Sequence, residues 1–197
     1  MFRRSIQITC VAAFTGIATA GAAVAQDAYR VSGGEVTVVC PLTVGGSFEA
    51  KTKNVTGEVA PAPNDSGAVQ GAVKVDLQTL QTGIGVRDRH MRDNYLEVSK
   101  GPEFAVATIE GIRIDKKQGK TSFNGTLLLH GQRKEISGTA DVKEQDGRLR
   151  IQAQFPLSVA QFAIPQPTYL GVGVKDEIQV KVLMTAEPAP TQTAGHR

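Results

Sequence analysis

The sequence predicts an all-β protein of about eight to nine antiparallel strands, arranged as a closed barrel or a sandwich. Apolar and polar residues alternate with a period of two over most of residues 28–186, as expected of strands with one buried face. Turn-forming residues separate these runs. Residues 82–98, which are rich in charge, break the alternation, and they predict one short helix at about residues 87–95.

The first 25 residues have the features of an export signal. Arg3 and Arg4 precede an apolar run, and Ala23-Val24-Ala25 offers a small-x-small cleavage site, which is typical of secretory signal peptides. We therefore expect export by the Sec route, a mature chain that begins at Gln26, and a periplasmic location.

The composition of the remaining chain excludes some functions. Removal of Arg3 and Arg4 leaves 20 lysine and arginine residues against 19 acidic ones, and the absence of a long basic run argues against nucleic-acid binding. No later stretch has the roughly 18 apolar residues of a membrane span. Cys40, the one remaining cysteine, is interpreted as a buried small hydrophobe, with an intermolecular bridge or a reactive thiol as alternatives. The sequence leaves open whether the protein forms a homodimer.

Several runs define the strands and the turns between them. Apolar residues alternate with polar ones over residues 69–77, 149–155 and 178–184. Asp146-Gly147 predicts a tight hairpin, Gly131-Gln132 predicts another, and residues 64–67 predict a turn. Residues 26–186 are expected to form one domain, and residues 187–197 a disordered tail.

A glycine recurs on the apolar face of four strands, in the pattern apolar-x-Gly-x-apolar. Glycine inside a strand usually marks a bend, a bulge or a close approach to the backbone. One interpretation is that these glycines let the strands coil at barrel corners. The other is that they hollow the interior for a ligand, since an eight-stranded barrel can hold one small ligand. The four residues are Gly57, Gly71, Gly125 and Gly138.

The residues that share these apolar faces are candidates to line a cavity. The chain has no tryptophan and only 5% aromatic residues, so such a lining would suit a flexible hydrocarbon better than a flat or polar ligand. A filled core would have the same composition. The predicted lining residues are Val73, Val75, Leu77, Phe104, Val106, Phe123, Leu127, Leu129, Ile151, Phe155 and Phe162.

The charged segment at residues 87–93 permits two interpretations. Arginine can grip a phosphate or carbonyl group, so a cluster beside a barrel opening could hold the polar head of an amphiphile. The predicted head-group residues are Arg87, His90 and Arg92. Alternatively, these charges pair within the helix at a spacing of four, Asp88 with Arg92 and Arg89 with Asp93.

The two histidines outside the predicted tail, His90 and His130, do not indicate a metal site, because no cysteine or carboxylate spacing completes one. His130 follows three leucines and precedes a glycine, which favours a strand-end surface position or a hydrogen-bonding role.

Taken in order, several blocks of the chain resemble the YceI-like family of exported bacterial proteins. They are Val75–Gly83 (VDLQTLQTG), Arg87–Arg92 (RDRHMR), Tyr95–Val98 (YLEV), Gly125–Gly131 (GTLLLHG) and Tyr169–Ile178 (YLGVGVKDEI). The resemblance implies an extended, lipocalin-like antiparallel β-barrel of about eight strands that binds a polyisoprenoid lipid, such as an isoprenoid quinone or a prenyl phosphate. It brings no catalytic residues, and neither cofactor nor metal is expected.

The expected function is therefore that of a periplasmic protein that holds a long apolar chain for transport, storage or stress protection. Two other classes remain open. One is an enzyme that acts on a bound lipid or small molecule. The other is a structural or partner-binding barrel with a filled core.

Overall fold

The computed structural model describes residues 28–62, 65–117, 120–169 and 171–190. The predicted signal peptide (residues 1–25) and most of the predicted tail lie outside these residues. The described part is built mainly from antiparallel strands. They are β1 (Tyr29–Pro41), β2 (Ser47–Thr52), β3 (Val55–Ala62), β4 (Asp65–Asp76), β5 (Val106–Lys117), β6 (Lys120–Leu129), β7 (Gln132–Gln145), β8 (Arg148–Ser158), β9 (Thr168–Tyr169), β10 (Val172–Gly173) and β11 (Glu177–Pro188).

The strands close into a barrel. Neighbouring strands follow the order β11-β8-β7-β6-β5-β4-β3-β1-β2, and β1 also pairs with β11. The start of β1 pairs with β3 and its end pairs with β2, so β2 and β3 share one position in the wall. The wall thus has eight strand positions, which confirms the predicted barrel and excludes a sandwich. The short strands β9 and β10 form a separate hairpin.

The hairpin turns follow from residues that tolerate positive φ angles. Asp146 and Gly147 have φ angles of 53° and 72° and connect β7 to β8, as predicted, in the conformation that matches the twist of a two-residue hairpin. The hairpin predicted at Gly131-Gln132 is wrong by one residue. His130 and Gly131, with φ angles of 52° and 70°, form that turn, because Leu129 still pairs with Gln132.

Bulges bend the wall where glycines occur. One extra residue of β4 lies between Val69 and Ala72, opposite β5, and one of β5 lies between Glu110 and Arg113, opposite β6. Gly71 (φ 98°) and Gly111 (φ 59°) occupy these bulges. The turn predicted for residues 64–67 is wrong for residues 65–67, since β4 begins at Asp65; Asn64 lies outside the described residues.

The predicted helix is present, although it begins earlier than expected. Helix α1 (Gly85–His90) continues into a wider π-helical turn (Met91–Tyr95), and a second, four-residue helix, α2 (Pro102–Ala105), precedes β5. None of the helices in the described ranges is long and apolar enough to cross a membrane. Strand β11 extends two residues into the predicted tail, since Glu187 and Pro188 still pair with β1.

Candidate functional site

A large cavity occupies the barrel interior. Its volume is about 1040 Å³, at the upper end of the range that ligand sites of soluble proteins show. Inward-facing aliphatic residues form most of its wall, for example Ile109 and Val180. The barrel is therefore hollow, which argues against the alternative of a filled core.

Eight of the eleven predicted lining residues line this cavity. They are Val73, Val75, Leu77, Phe123, Leu127, Leu129, Ile151 and Phe155. Strand periodicity was sufficient for this, because successive side chains of a strand point to opposite faces. Residues 178–184 behave as expected too, with Ile178, Val180, Val182 and Met184 on the cavity side.

Three predicted lining residues lie elsewhere. Val106 is out of phase with the cavity, since its neighbour Ala107 lines the wall. Phe104 lies on α2, where its ring packs edge-on against His130 at a centroid distance of 4.8 Å. Phe162 is almost completely buried, on the 3₁₀ turn Ala160–Phe162, and its carbonyl oxygen lies 3.0 Å from His130 Nδ1. The last two stabilise the structure outside the cavity wall.

The four glycines favour the curvature interpretation. None of them lines the cavity. A Cβ atom at Gly57, Gly71 or Gly138 would collide with a backbone carbonyl oxygen of the neighbouring strand, and one at Gly57 would also lie 2.9 Å from Val73 Cα. Gly125 is less confined, with 3.3 Å to the nearest atom. Gly57, Gly71 and Gly138 therefore permit close approach of neighbouring strands, and Gly71 also occupies a bulge.

The cavity opens beside α1. Most lining residues are buried or half-buried, whereas five are exposed and thereby mark the mouth. These five come from the start of β2, from α1 with its preceding residue, and from β9. They are Ser47, Ile84, Val86, His90 and Thr168.

Two of the three predicted head-group residues lie at this opening. Arg87 and His90 both line the cavity, and the Arg87 guanidinium lies 4.4 Å from the centroid of the Phe48 ring. Within the described part of the chain Arg87 forms no salt bridge. Arg92 does not line the cavity, because its Nη1 donates a hydrogen bond to the Leu80 carbonyl oxygen at 3.0 Å. The structure therefore does not bring Arg92 to the opening with Arg87 and His90.

The predicted charge pairs within α1 are not formed. Asp88 is buried and accepts hydrogen bonds from the backbone N–H and the hydroxyl group of Thr82, both at 2.6 Å. Burial by itself raises the pKa of this carboxyl. The two Thr82 hydrogen bonds and the nearby Arg92 and Arg87 outweigh that effect, so the pKa of Asp88 is lowered overall. The carboxylate thus anchors α1 to the segment before it.

Cys40 contributes a thiol to the cavity wall. It is a free cysteine, and burial raises its pKa to about 11, although Arg87 opposes this shift. The thiol is therefore neutral at neutral pH, as a small hydrophobe in the wall would be.

Sequence reasoning missed a polar cluster around His130. His130 is buried, not on the surface, and its Nε2 lies 3.2 Å from Glu97 Oε2, without the alignment of a good hydrogen bond. Glu97 also contacts Lys100 Nζ at 2.6 Å, and its pKa is lowered chiefly by that hydrogen bond. The predicted hydrogen-bonding role of His130 is confirmed by the contact of its Nδ1 with the Phe162 carbonyl oxygen. No group of three potential metal ligands occurs among the residues that the structure covers.

The closed wall, the cavity and the helix at its mouth define a hollow, lipocalin-like β-barrel. The sequence pattern of the YceI-like domain matches residues 25–186, and the chain belongs to this family. Three UPF0312 proteins of Vibrio cholerae serotype O1 are 33% identical to it over 82 residues, which cover 41% of this chain and 42% of each relative. The matched segment thus spans less than half the length of those relatives.

Solved structures share the fold. Burkholderia cenocepacia BcnA has a TM-score of 0.65 at 16% identity, over 77% of this chain and 95% of that one. A polyisoprenoid binding domain from Saccharophagus degradans, implicated in plant cell wall breakdown, has a TM-score of 0.62 at 17% identity, over 83% and 99%. The Campylobacter jejuni YceI protein has a TM-score of 0.56 at 17% identity, over 74% and 87%.

Proposed function

We propose that this protein binds one amphiphilic lipid, with a long apolar chain of isoprenoid type inside the barrel and a polar head at the mouth. The observation that carries the proposal is the aliphatic cavity of about 1040 Å³. The polyisoprenoid binding domain that shares the fold supports the choice of ligand class. Isoprenoid quinones and prenyl phosphates fit this description.

The cavity wall provides the driving force for binding a hydrocarbon. Each buried methylene group contributes about 0.8 kcal/mol, so about ten of them contribute about 8 kcal/mol. This corresponds to a dissociation constant of about 1 μM, before the entropy lost on ordering the chain is subtracted. A flexible apolar chain can follow the irregular wall left by alternating small and large residues, such as Ala153 beside Phe155.

The mouth is suited to an acidic or carbonyl-containing head group. The Arg87 guanidinium is held against Phe48, and its N–H groups have no salt-bridge partner in the described residues. His90 lies three residues further along the same helix and also borders the cavity. Both side chains can donate hydrogen bonds to a phosphate or a quinone oxygen.

Binding is proposed rather than catalysis. Of the titratable side chains that line the cavity, Arg87 and His90 lie together on α1, Tyr95 follows in the π-helical turn and Cys40 is a neutral thiol, while the rest of the interior wall is formed mainly by aliphatic side chains. A lipid chain in that interior would contact groups without acid–base chemistry. We further propose that the protein acts in the periplasm, on the strength of the export signal in residues 1–25.

The experiment that tests the proposal is organic-solvent extraction of natively purified protein, followed by mass spectrometry of the extract. Ala153→Trp would fill part of the cavity, whereas Gln154→Trp places the same bulk on the outer face of β8, where Gln154 is exposed. We expect a stoichiometric lipid with the unmodified protein and with Gln154→Trp, and much less with Ala153→Trp. A lipid-free native protein would refute the proposal, and so would equal lipid content in both variants.

The head-group role is tested separately with Arg87→Gln, measured by binding of a prenyl phosphate in solution. Loss of a charge-assisted hydrogen bond of about 1.5–3 kcal/mol should weaken binding roughly tenfold to a hundredfold. Arg89→Gln is the control, because Arg89 is exposed and does not line the cavity. Equal affinities of the two variants would remove Arg87 from the site.

A further inference from the structure

Apolar side chains are exposed around the mouth of the cavity. Val44, Ile84 and Val86 are 69%, 50% and 64% exposed. Ile84 and Val86 also line the cavity, so they connect its apolar interior directly with solvent. Single exposed apolar residues are ordinary, but three at one opening form a patch that the fold does not need for its own core.

The position of Val44 is set by a tight turn beside the same opening. This turn links β1 to β2 and is closed by a hydrogen bond from Leu42 N–H to the Gly46 carbonyl oxygen at 2.9 Å. Thr43 N–H donates to the Gly173 carbonyl oxygen, also at 2.9 Å, and Gly173 borders the cavity. The turn therefore holds the exposed Val44 beside a segment that borders the cavity.

The charges around this patch are predominantly basic. Helix α1 contributes the cations Arg87 and Arg89, while its one carboxylate, Asp88, is buried and accepts hydrogen bonds from Thr82. Glu49 on β2 is neutralised by Lys51 at 2.8 Å. The exposed acidic residue that lies nearest to α1 in the sequence is Asp93, in the π-helical turn. An apolar tip within a basic rim is complementary to an anionic lipid surface, where apolar groups insert and cations meet phosphates.

We infer that this rim, consisting of Val44, Ile84, Val86 and Arg89, docks on the surface of an anionic lipid bilayer, so that the mouth of the cavity faces the membrane. The inference rests on the proposed function, because docking in this orientation lets a lipid chain pass between bilayer and barrel without crossing water. Transfer through water would expose the whole apolar chain, at about 0.8 kcal/mol per methylene group.

The test is flotation of the purified protein with vesicles at low ionic strength. Vesicles of phosphatidylcholine alone are compared with vesicles of equal parts phosphatidylcholine and phosphatidylglycerol. We expect the protein to float with the anionic vesicles, and less of it to float at high salt, where exposed charges are screened. Val44→Glu should weaken this binding about tenfold, since it removes one inserting side chain. Arg89→Gln should weaken it about fivefold, since one surface cation is lost.

Leu183→Glu is the matched control. Leu183 is a similarly exposed apolar residue (43%), but it lies on the barrel wall. Strand β11 begins at Glu177, shortly after the cavity-lining residues Val172–Val174, and Leu183 lies six residues further along the strand, a distance of about 20 Å. This variant should float like the unmodified protein. All variants should keep their bound lipid, because none of the three positions lines the cavity.

The inference is overturned if the unmodified protein does not float with anionic vesicles, or if Val44→Glu floats as well as the unmodified protein. It is also overturned if Val44→Glu instead dissociates a dimer seen by sedimentation, which would make the patch a protein interface. Lipid-loaded protein that fails to float refutes the docking surface alone. Protein that floats but carries no lipid refutes the proposed function and leaves the docking surface standing.

Discussion

Replacement of Gly138 by alanine is expected to destabilise the barrel without changing binding of the proposed lipid. Gly138 pairs with Phe123 of β6 and faces Phe155 of β8. A Cβ atom at this position would collide with the Gln154 carbonyl oxygen and lie 2.7 Å from Phe155 Cβ. Phe155 in turn packs edge-on against Phe123, with ring centroids 5.9 Å apart. A single methyl group would therefore push on the backbone and on an aromatic pair together.

The magnitude follows from the cost of overpacking, which is typically about 1–3 kcal/mol. For a chain of this size each kcal/mol lowers the melting temperature by about 2–4 °C, so a loss of about 2 kcal/mol gives about 4–8 °C. Gly33→Ala is the matched control in another strand. A Cβ atom at Gly33 meets nothing within 4 Å, and Gly33 is not among the glycines with positive φ. Its replacement should be neutral or stabilise by about 0.4–1 kcal/mol.

Urea unfolding of both variants, with the lipid content of each measured by mass spectrometry, is the assay. We expect Gly138→Ala to lower the free energy of unfolding and to keep its lipid per folded molecule, since Gly138 does not line the cavity. If Gly138→Ala were as stable as Gly33→Ala, the close approach of β7 and β8 would not be the reason for glycine. If it lost lipid at unchanged stability, the glycine would instead be hollowing the interior.

Two further predictions concern buried titratable groups. The folded-state pKa of Asp88 is lowered from 3.8, so its stabilisation is fully present above that value and is lost as pH falls through the lower folded pKa. Asp88→Asn should therefore reduce the free energy of unfolding by about 1 kcal/mol at neutral pH and by less well below pH 3.8; an equal loss at both would contradict this account. The pKa of Cys40 is about 11 in the folded protein instead of 9.0, and the thiolate is the form that reacts with iodoacetamide. In the folded protein the reaction rate should therefore still rise above pH 9, whereas in the unfolded protein it should level off near pH 9. Levelling near pH 9 in the folded protein would show an exposed thiol.

The periodicity of the sequence predicted the strands and most of the cavity wall, but not the exact phase of every element. Val73, Val75 and Leu77 all line the cavity, as predicted, because the alternation of apolar and polar residues continues without a break over these positions. Val106 was misplaced because it is the first residue of β5, directly after α2, and nothing local fixes the phase there. His130 was misjudged because its burial depends on Glu97, Phe104 and Phe162, which are distant in the chain.

The charged segment illustrates a different limit. Charges four residues apart predicted pairing within a helix, which is an entirely local argument. In the fold, Asp88 instead receives hydrogen bonds from Thr82, and Arg92 donates to Leu80, because the turn that leads into α1 brings the preceding segment against it. The same arrangement leaves Arg87 beside Phe48, a residue of β2 that no sequence spacing connects to it.

By itself, the sequence predicted an all-β protein of antiparallel strands, and its resemblance to the YceI-like family implied a barrel, because alternation, turn residues and the motif around residues 75–98 are local properties of the chain. Only the tertiary structure decided that the barrel is hollow, that its glycines accommodate neighbouring backbone, and that Arg87 and His90 border the opening. Those features depend on how strands distant in sequence approach one another. A period-two pattern records which side chains face inward, but not how much space is left between them.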